Sequence, residues 1–128
     1  MNNLFNYSRR RSNQIEVGKV FLGGSNPVRV QSMANTDTNN TEDSVAQCIR
    51  IVEAGGEIVR FTAQGVKEAE NLKNIHAALR EKGFDVPLVA DIHFVAQAAD
   101  VAAQYVEKVR VNPGNFIGMV RRDSPDYT

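Results

Sequence analysis

The chain has 128 residues, of which 42% are hydrophobic and 23% charged, an ordinary balance for one globular domain rather than a disordered chain. Fifteen basic residues balance fifteen acidic ones, so no general attraction to nucleic acid or to an anionic membrane is expected. No stretch is long enough to span a bilayer and the N-terminus lacks the apolar core of a signal peptide, so the expected compartment is the cytoplasm.

Residues 1–12 are interpreted as an N-terminal extension and residues 13–128 as one domain. The extension contains a basic cluster, Ser8 to Ser12 (SRRRS), which is more typical of a solvated chain end than of a binding patch. The next segment, Ile15 to Gly24 (IEVGKVFLGG), contains two short extended pieces around a glycine. This pattern predicts a small β-hairpin.

The first helix is predicted from about Glu42 to Ala54, with Asn40 or Thr41 as its N-cap and Gly55 at its end. Its apolar stripe, with spacing i, i+3, i+4 and i+7, consists of Val45, Cys48, Ile49 and Val52. Cys48 is the only cysteine, which excludes an internal disulfide and a cysteine-only metal site. Its place in the stripe predicts a thiol in the core.

Two further helices are predicted. One runs from about Val66 to Lys82 and ends at Gly83; its His76, beside the apolar stripe, is interpreted as an ordinary boundary residue. The other runs from about Val95 to Glu107 and is rich in alanine, so it can lie close to a sheet.

Candidate strands begin near Val28, Ile58, Leu88 and Val109, and the helices lie between them. This alternation predicts right-handed βαβ units with parallel strands. The fold class is therefore α/β. Four such strands form either a small open sheet or part of a (β/α) barrel.

Polar side chains lie toward the end of each strand. Because side chains alternate between the faces of a strand, Arg60 shares a face with Thr62, Asp91 with His93, and Arg110 with Asn112. Gln31, Ser32 and Asn35 follow a similar pattern in the first strand. Ligand sites of α/β folds lie at the carboxyl ends of the strands.

Two interpretations of these polar residues remain open. One is a binding site, because arginine forks suit phosphate oxygens and the turn Asn112 to Asn115 (NPGN) offers backbone donors. The other is a structural ion pair of Asp91 with Arg60 or Arg110, since a buried arginine is normally paired.

Four motifs carry a specific resemblance: VQSMANT, GGEIVRFT, VPLVADIHF and VRVNPGN, in that order. Together they resemble the N-terminal part of the 4-hydroxy-3-methylbut-2-enyl diphosphate synthase family, over roughly Arg10 to Asn115. The segments NYSRR and TAQGVKEAENL are similar to the longer form of these enzymes, in which an extra domain interrupts the protein.

The resemblance implies a TIM barrel, (β/α)8, joined to a C-terminal domain that carries a 4Fe-4S cluster. The implied reaction is the reductive opening of 2-C-methyl-D-erythritol 2,4-cyclodiphosphate, with two electrons from ferredoxin or flavodoxin. The family's cluster ligands, three cysteines and a glutamate, have no matching motif here. The chain is therefore expected to be an N-terminal fragment with about four barrel strands, inactive by itself.

The resemblance also implies roles for individual residues. Arg60 and Arg110 would hold substrate phosphate, and Asn112 would donate a hydrogen bond to it. Asp91 and His93 would be catalytic, facing the reacting end of the substrate. Gln31 and Asn35, the lesser candidates for substrate binding, would line the same opening. No metal ligand is predicted within this chain.

Two alternatives to this function stay open. The first is a cluster-free TIM-barrel enzyme, such as a phosphate- or pterin-handling synthase. The second is a non-catalytic domain with an ion-pair network at its strand ends. In either case, four strands leave two unpaired sheet edges, so the chain is expected to associate, with a homodimer as the expected form.

Overall fold

The structure, a computed structural model, describes residues 4–93, 95–114 and 116. Within this part the chain folds into six strands and three helices. In chain order they are β1 (Ile15–Val17), β2 (Val20–Leu22), β3 (Gln31–Met33), α1 (Thr41–Glu53), β4 (Ile58–Ala63), α2 (Val66–Glu81), β5 (Leu88–Ile92), α3 (Ala96–Ala102) and β6 (Lys108–Arg110). None of the described helices combines the length and the apolar character that crossing a membrane requires.

The main sheet has the order β3-β4-β5-β6, and every neighbouring pair is parallel. Each strand therefore pairs with the strand before it in the chain, after a helix that crosses over one face. This confirms the predicted parallel α/β fold. It is also the order in which consecutive strands of a β/α barrel are laid down.

One face of the sheet carries the helices and the main core. Its side chains are almost completely buried: Val59, Phe61, Ala63, Leu88, Ala90 and Ile92. They pack with buried positions of all three helices, including Cys48, which is 0% exposed. The prediction that Cys48 is a core thiol is thereby confirmed.

The opposite face differs between its two ends. At the N-terminal ends of the strands, here called the base, Ile58 and Val89 are buried under Val20 and Leu22 of the hairpin β1–β2. The predicted hairpin is confirmed, and its structural role is to cover the apolar base of the sheet. At the C-terminal ends of the strands, here called the mouth, the same face carries the polar residues.

A glycine lets the hairpin lie close to the base. Gly18 has a φ of 57°, in the left-handed region that favours glycine. A Cβ at this position would lie 3.2 Å from side-chain atoms of both Pro87 and Glu107. The turn therefore packs directly on the segments that lead into β5 and β6.

The helix caps follow from local chemistry. Asn40 is the N-cap of α1, and its side chain accepts a hydrogen bond from the Asp43 backbone N at 3.1 Å. Gly55 (φ 103°) and Gly83 (φ 85°) follow α1 and α2 in the left-handed conformation. The bounds of these helices agree with the prediction to within one residue.

The first strand begins later than predicted. It starts at Gln31 rather than near Val28, which is 83% exposed. The carboxylate of Glu57 accepts hydrogen bonds from the Val30 backbone N at 2.8 Å and from Arg29 Nη1 at 3.2 Å. The Glu57 side chain therefore takes the place of a strand partner for the Val30 N–H, while the Val30 carbonyl accepts from Glu57 N at 2.8 Å, and Val30 is 56% exposed.

The third helix is shorter than predicted. It ends at Ala102 rather than near Glu107, and a turn follows, in which Tyr105 N donates to Ala102 O. The alanine-rich sequence favours a longer helix, but Lys108 must already pair with Val89 in the sheet. Tertiary pairing thus overrides local propensity.

Candidate anion-binding site

The mouth is organised by the register of three strands. Thr62 pairs with Asp91, and Asp91 pairs with Arg110, so these side chains share one face at one level. Arg60 lies on the same face, two residues earlier in β4, and pairs with Val89. The alternation of side chains predicts that Arg60, Asp91, His93, Arg110 and Asn112 converge at one end of the parallel sheet, and the strand pairing brings Arg60, Asp91 and Arg110 together there.

Asp91 lies between the two arginines. Its Oδ2 is 2.6 Å from Arg60 Nη2, and its Oδ1 accepts a hydrogen bond from Arg110 Nη1 at 3.1 Å. Each carboxylate oxygen therefore serves a different guanidinium group. The structural ion pair considered from the sequence exists, and it involves both arginines rather than one.

Exposure increases from the carboxylate outward. The side chain of Asp91 is 3% exposed, that of Arg60 24% and that of Arg110 41%. One carboxylate between two guanidinium groups leaves one positive charge uncompensated. In addition, Arg60 Nε is buried and has no hydrogen-bond partner among the described residues. The cluster therefore carries an excess positive charge, and its half-exposed guanidinium group, that of Arg110, is accessible to an anion.

His93 lies beside this cluster. Its Nε2 is 3.8 Å from Asp91 Oδ2, too far for a hydrogen bond, and its side chain is 32% exposed. Its backbone N donates to Ala63 O at 3.1 Å, which extends the β4–β5 pairing by one step. His93 is therefore held by its backbone at the mouth, next to the arginine pair.

Asn112 follows β6 and is exposed. Its Oδ1 accepts a hydrogen bond from the Gly114 backbone N at 3.2 Å. The side chain thus stabilises the predicted turn, in the manner of an Asx turn. Asn115 of the predicted NPGN turn, like Phe94, lies outside the described residues.

Gln31 and Asn35 are further from the cluster. Gln31 pairs with Ile58, one level closer to the base than Arg60, and is exposed. The Asn35 side chain accepts a hydrogen bond from Gln47 Nε2 of α1 at 2.6 Å. Gln47 Oε1 in turn accepts from the backbone N atoms of Asn35 and Thr36. Asn35 therefore serves to hold its own loop against α1.

A polar groove of about 450 Å³ lies between the loops that follow β3 and β4. It is lined by Ala34, Asn35, Thr36, Asp37, Thr38, Asn39, Thr62, Gln64 and Glu68. Thr38 Oγ1 donates to Thr62 O at 2.6 Å and ties the two loops together. Sequence reasoning missed Gln47 and Thr38, because their roles depend on contacts between distant segments.

Charges at the base are already satisfied by protein groups. Glu107 accepts from Leu88 N at 2.8 Å, from Arg80 Nη2 at 2.7 Å and from His76 Nε2 at 2.9 Å. Burial alone would raise the pKa of Glu107, but these hydrogen bonds and the charges of His76 and Arg80 outweigh it and lower the pKa. His76, predicted to be an ordinary boundary residue, therefore has a structural partner.

A second cavity, of about 370 Å³, also lies near the base. Two ion pairs contribute to its walls, Lys19 with Asp85 and Arg29 with Glu57. Hydrogen bonding by Lys19 lowers the pKa of Asp85, and the backbone hydrogen bond from Val30 lowers the pKa of Glu57. Because these four charges compensate one another, this cavity has less uncompensated positive charge for an anion than the mouth has.

The described residues do not fit a metal or iron–sulfur centre. They contain no group of three or more His, Cys, Asp or Glu side chains that could hold a metal ion. Cys48 is the only cysteine of the chain, and burial raises the pKa of its thiol to about 12 although the charge of Arg80 lowers it slightly. A buried thiol that stays protonated is a poor metal ligand.

Comparison with known proteins gives consistent matches. A family profile described as the GcpE TIM-barrel domain matches residues 12–124. A protein of Bacteroides fragilis (strain YCH46), named 4-hydroxy-3-methylbut-2-en-1-yl diphosphate synthase (flavodoxin), is 64% identical over 114 residues, which are 89% of this chain and 18% of that protein. A protein of the same name from Phocaeicola vulgatus is 62% identical over 114 residues, 89% of this chain and 19% of that protein.

A more distant relative, from Chlorobaculum tepidum and with the same name, is 50% identical over 125 residues. The match covers 98% of this chain and 17% of that protein. The chain therefore spans about one fifth of the length of the curated relatives it matches.

Proposed function

The chain belongs to the GcpE TIM-barrel domain family, and on that premise we propose that it is the substrate-binding part of a 4-hydroxy-3-methylbut-2-enyl diphosphate synthase. The family assignment confirms that the four-stranded sheet is part of a TIM barrel. The proposed substrate is 2-C-methyl-D-erythritol 2,4-cyclodiphosphate, and its diphosphate binds at the mouth. The reaction opens the ring by reduction with two electrons.

One observation carries this proposal: two arginines share one buried carboxylate at the C-terminal ends of the strands. Their charges exceed that of Asp91 by one, and the side chains of Arg60 and Arg110 are 24% and 41% exposed. Diphosphate oxygens match guanidinium groups in both charge and geometry. In TIM barrels this end of the strands is where ligands bind.

The chain's own residues position the substrate. Arg60 and Arg110 bind the diphosphate, and the Asn112 amide donates to it. His93 contacts the part of the substrate that reacts, since its side chain is 32% exposed whereas that of Asp91 is 3% exposed. The polar groove lined by Thr36, Asn39 and Gln64 accommodates hydroxyl groups.

The electrons enter from outside this chain. The proposed donor is flavodoxin, which the names of the relatives include, with ferredoxin as the alternative. A 4Fe-4S cluster held by residues outside this chain would supply single-electron transfer. One buried cysteine cannot ligate such a cluster, so the cluster's ligands belong to another part of the protein. The chain alone is therefore expected to bind substrate without converting it.

The sheet edges support association. β3 is exposed along its whole length, and β6 is only half-buried. Both have one paired side within the described residues. Unpaired edges favour pairing with further strands. These strands come from the rest of a longer protein or from a second copy. A homodimer of the whole protein is part of the proposal. Light scattering of the chain at several concentrations tests whether two copies associate.

The decisive experiment is a calorimetric titration of the whole gene product with pyrophosphate, followed by a turnover assay with the cyclic diphosphate and reduced flavodoxin. Binding in the micromolar range and turnover are expected. If pyrophosphate does not bind, the ion pairs of the mouth are purely structural and the non-catalytic alternative holds. If pyrophosphate binds without turnover, a cluster-free phosphate-handling enzyme becomes the better description.

A further inference from the structure

The geometry points to Asp91 as a positioning residue, which holds Arg60 and Arg110 at a set spacing so that both guanidinium groups engage one anion. This inference rests on the proposed function, because it concerns the same diphosphate. It differs from a catalytic role for Asp91, since the carboxylate would act through the arginines rather than touch the substrate.

The contacts of Asp91 support this role. Both carboxylate oxygens are already engaged, one at 2.6 Å from Arg60 Nη2 and the other at 3.1 Å from Arg110 Nη1. The side chain is 3% exposed, far less than that of either arginine. A group that transfers a proton to or from a substrate must come within hydrogen-bond distance of it. Asp91 is shielded from such contact.

The arginines need this support, because neither is held by another acceptor among the hydrogen bonds and ion pairs identified in the described residues. A guanidinium group on a long side chain loses rotamer entropy when it binds a ligand. Asp91 restrains both groups before the ligand arrives, and the side chains of the two arginines remain 24% and 41% exposed. Preorganisation of this kind increases affinity by lowering the entropy lost on binding.

Charge and position make opposite predictions for Asp91→Asn. If Asp91 only offsets positive charge, its neutralisation raises the local potential and pyrophosphate binds more tightly. If Asp91 positions the arginines, affinity falls, because the asparagine amide turns an N–H donor toward one of the two guanidinium donors. The sign of the change therefore separates the two roles.

The test is a pyrophosphate titration of the whole gene product at constant ionic strength, with wild type, Asp91→Asn and Asp100→Asn compared. Asp100 is exposed on α3, so its variant makes the same charge change away from the mouth. We expect a loss of affinity of about tenfold to a hundredfold for Asp91→Asn, the range for a hydrogen bond to a charged group. Little change is expected for Asp100→Asn. Unchanged or tighter binding by Asp91→Asn overturns the inference.

Turnover gives a second readout. A positioning role raises KM, whereas a proton-transfer role lowers kcat and leaves pyrophosphate affinity unchanged, and the latter result overturns the inference. If Asp91→Asn fails to fold, Arg110→Lys provides the test, because lysine keeps the positive charge but lacks the planar, paired donors of the guanidinium group. Affinity at least tenfold weaker supports positioning, and equal affinity overturns it. Absence of binding by wild type refutes the proposed function itself and the inference with it.

Discussion

The base and the mouth are two ends of one sheet face, and they have opposite character. At the base, Ile58 and Val89 are 2% and 1% exposed beneath the hairpin. One step further along the same strands, the face carries Arg60 and Asp91. The apolar end is covered by the hairpin, whereas the arginine side chains at the charged end are 24% and 41% exposed. The base therefore contributes stability, and the mouth is available for a ligand.

The largest expected effect is on stability at the base. Ile58→Ala should lower the free energy of unfolding by about 2–5 kcal/mol, because it leaves a cavity under the hairpin. Ile15→Ala makes the same chemical change at a hairpin position that is 53% exposed and should cost less than about 0.5 kcal/mol. Denaturant titration of the whole gene product measures both. Similar losses would mean that the hairpin does not seal the base.

The next effect is on binding at the mouth. Arg110→Ala should weaken pyrophosphate binding by about 1.5–3 kcal/mol, because it removes a charge-assisted contact. Arg29→Ala removes an arginine that is paired with Glu57 near the base and should leave affinity nearly unchanged. Calorimetry measures both variants. Equal affinity of Arg110→Ala and wild type would show that Arg110 is structural.

A pH-dependent effect is expected at the base. The pKa of Glu107 is lower in the folded protein than its ordinary value, so its contribution to stability is present above the unfolded pKa and is lost as pH falls through the folded pKa. Glu107→Gln should cost about 1–3 kcal/mol at pH 7 and flatten the acid side of the stability profile.

Thermal unfolding from pH 7 down to pH 3 measures the contribution of Glu107. The exposed Glu81, near the end of α2, supplies the control Glu81→Gln. If Glu107→Gln has the same acid stability profile as wild type, then the contacts of Glu107 with Leu88, His76 and Arg80 do not cause the loss of stability at low pH.

The smallest effect is expected from Cys48. Cys48→Ala should lower stability by about 1 kcal/mol, because a buried sulfur is lost from the helix–sheet core, and should leave pyrophosphate affinity unchanged. The wild-type thiol should react with an alkylating reagent only after unfolding, since it is 0% exposed and its pKa is raised to about 12. Rapid labelling of the native protein would show that this part of the core opens.

Most helices and strands, and the face of the sheet that carries the site, could be predicted from the sequence. Period-2 and period-3.6 patterns identified the strands, α1 and α2, and alternation within IVRFTA and LVADI placed Arg60 and Asp91 on one face. These inferences succeed because side-chain direction along a regular element follows from backbone geometry alone. The motifs also identified the family.

Tertiary structure alone decided what each polar residue contacts. It ended α3 at Ala102, because β6 must pair with β5, and it moved the start of the first strand to Gln31, where the Glu57 side chain binds the preceding backbone N–H. It also placed Asp91 between two arginines and tied Asn35 to Gln47. Such contacts join residues that are distant in the sequence, and they depend on strand register and side-chain reach, which local pattern does not specify.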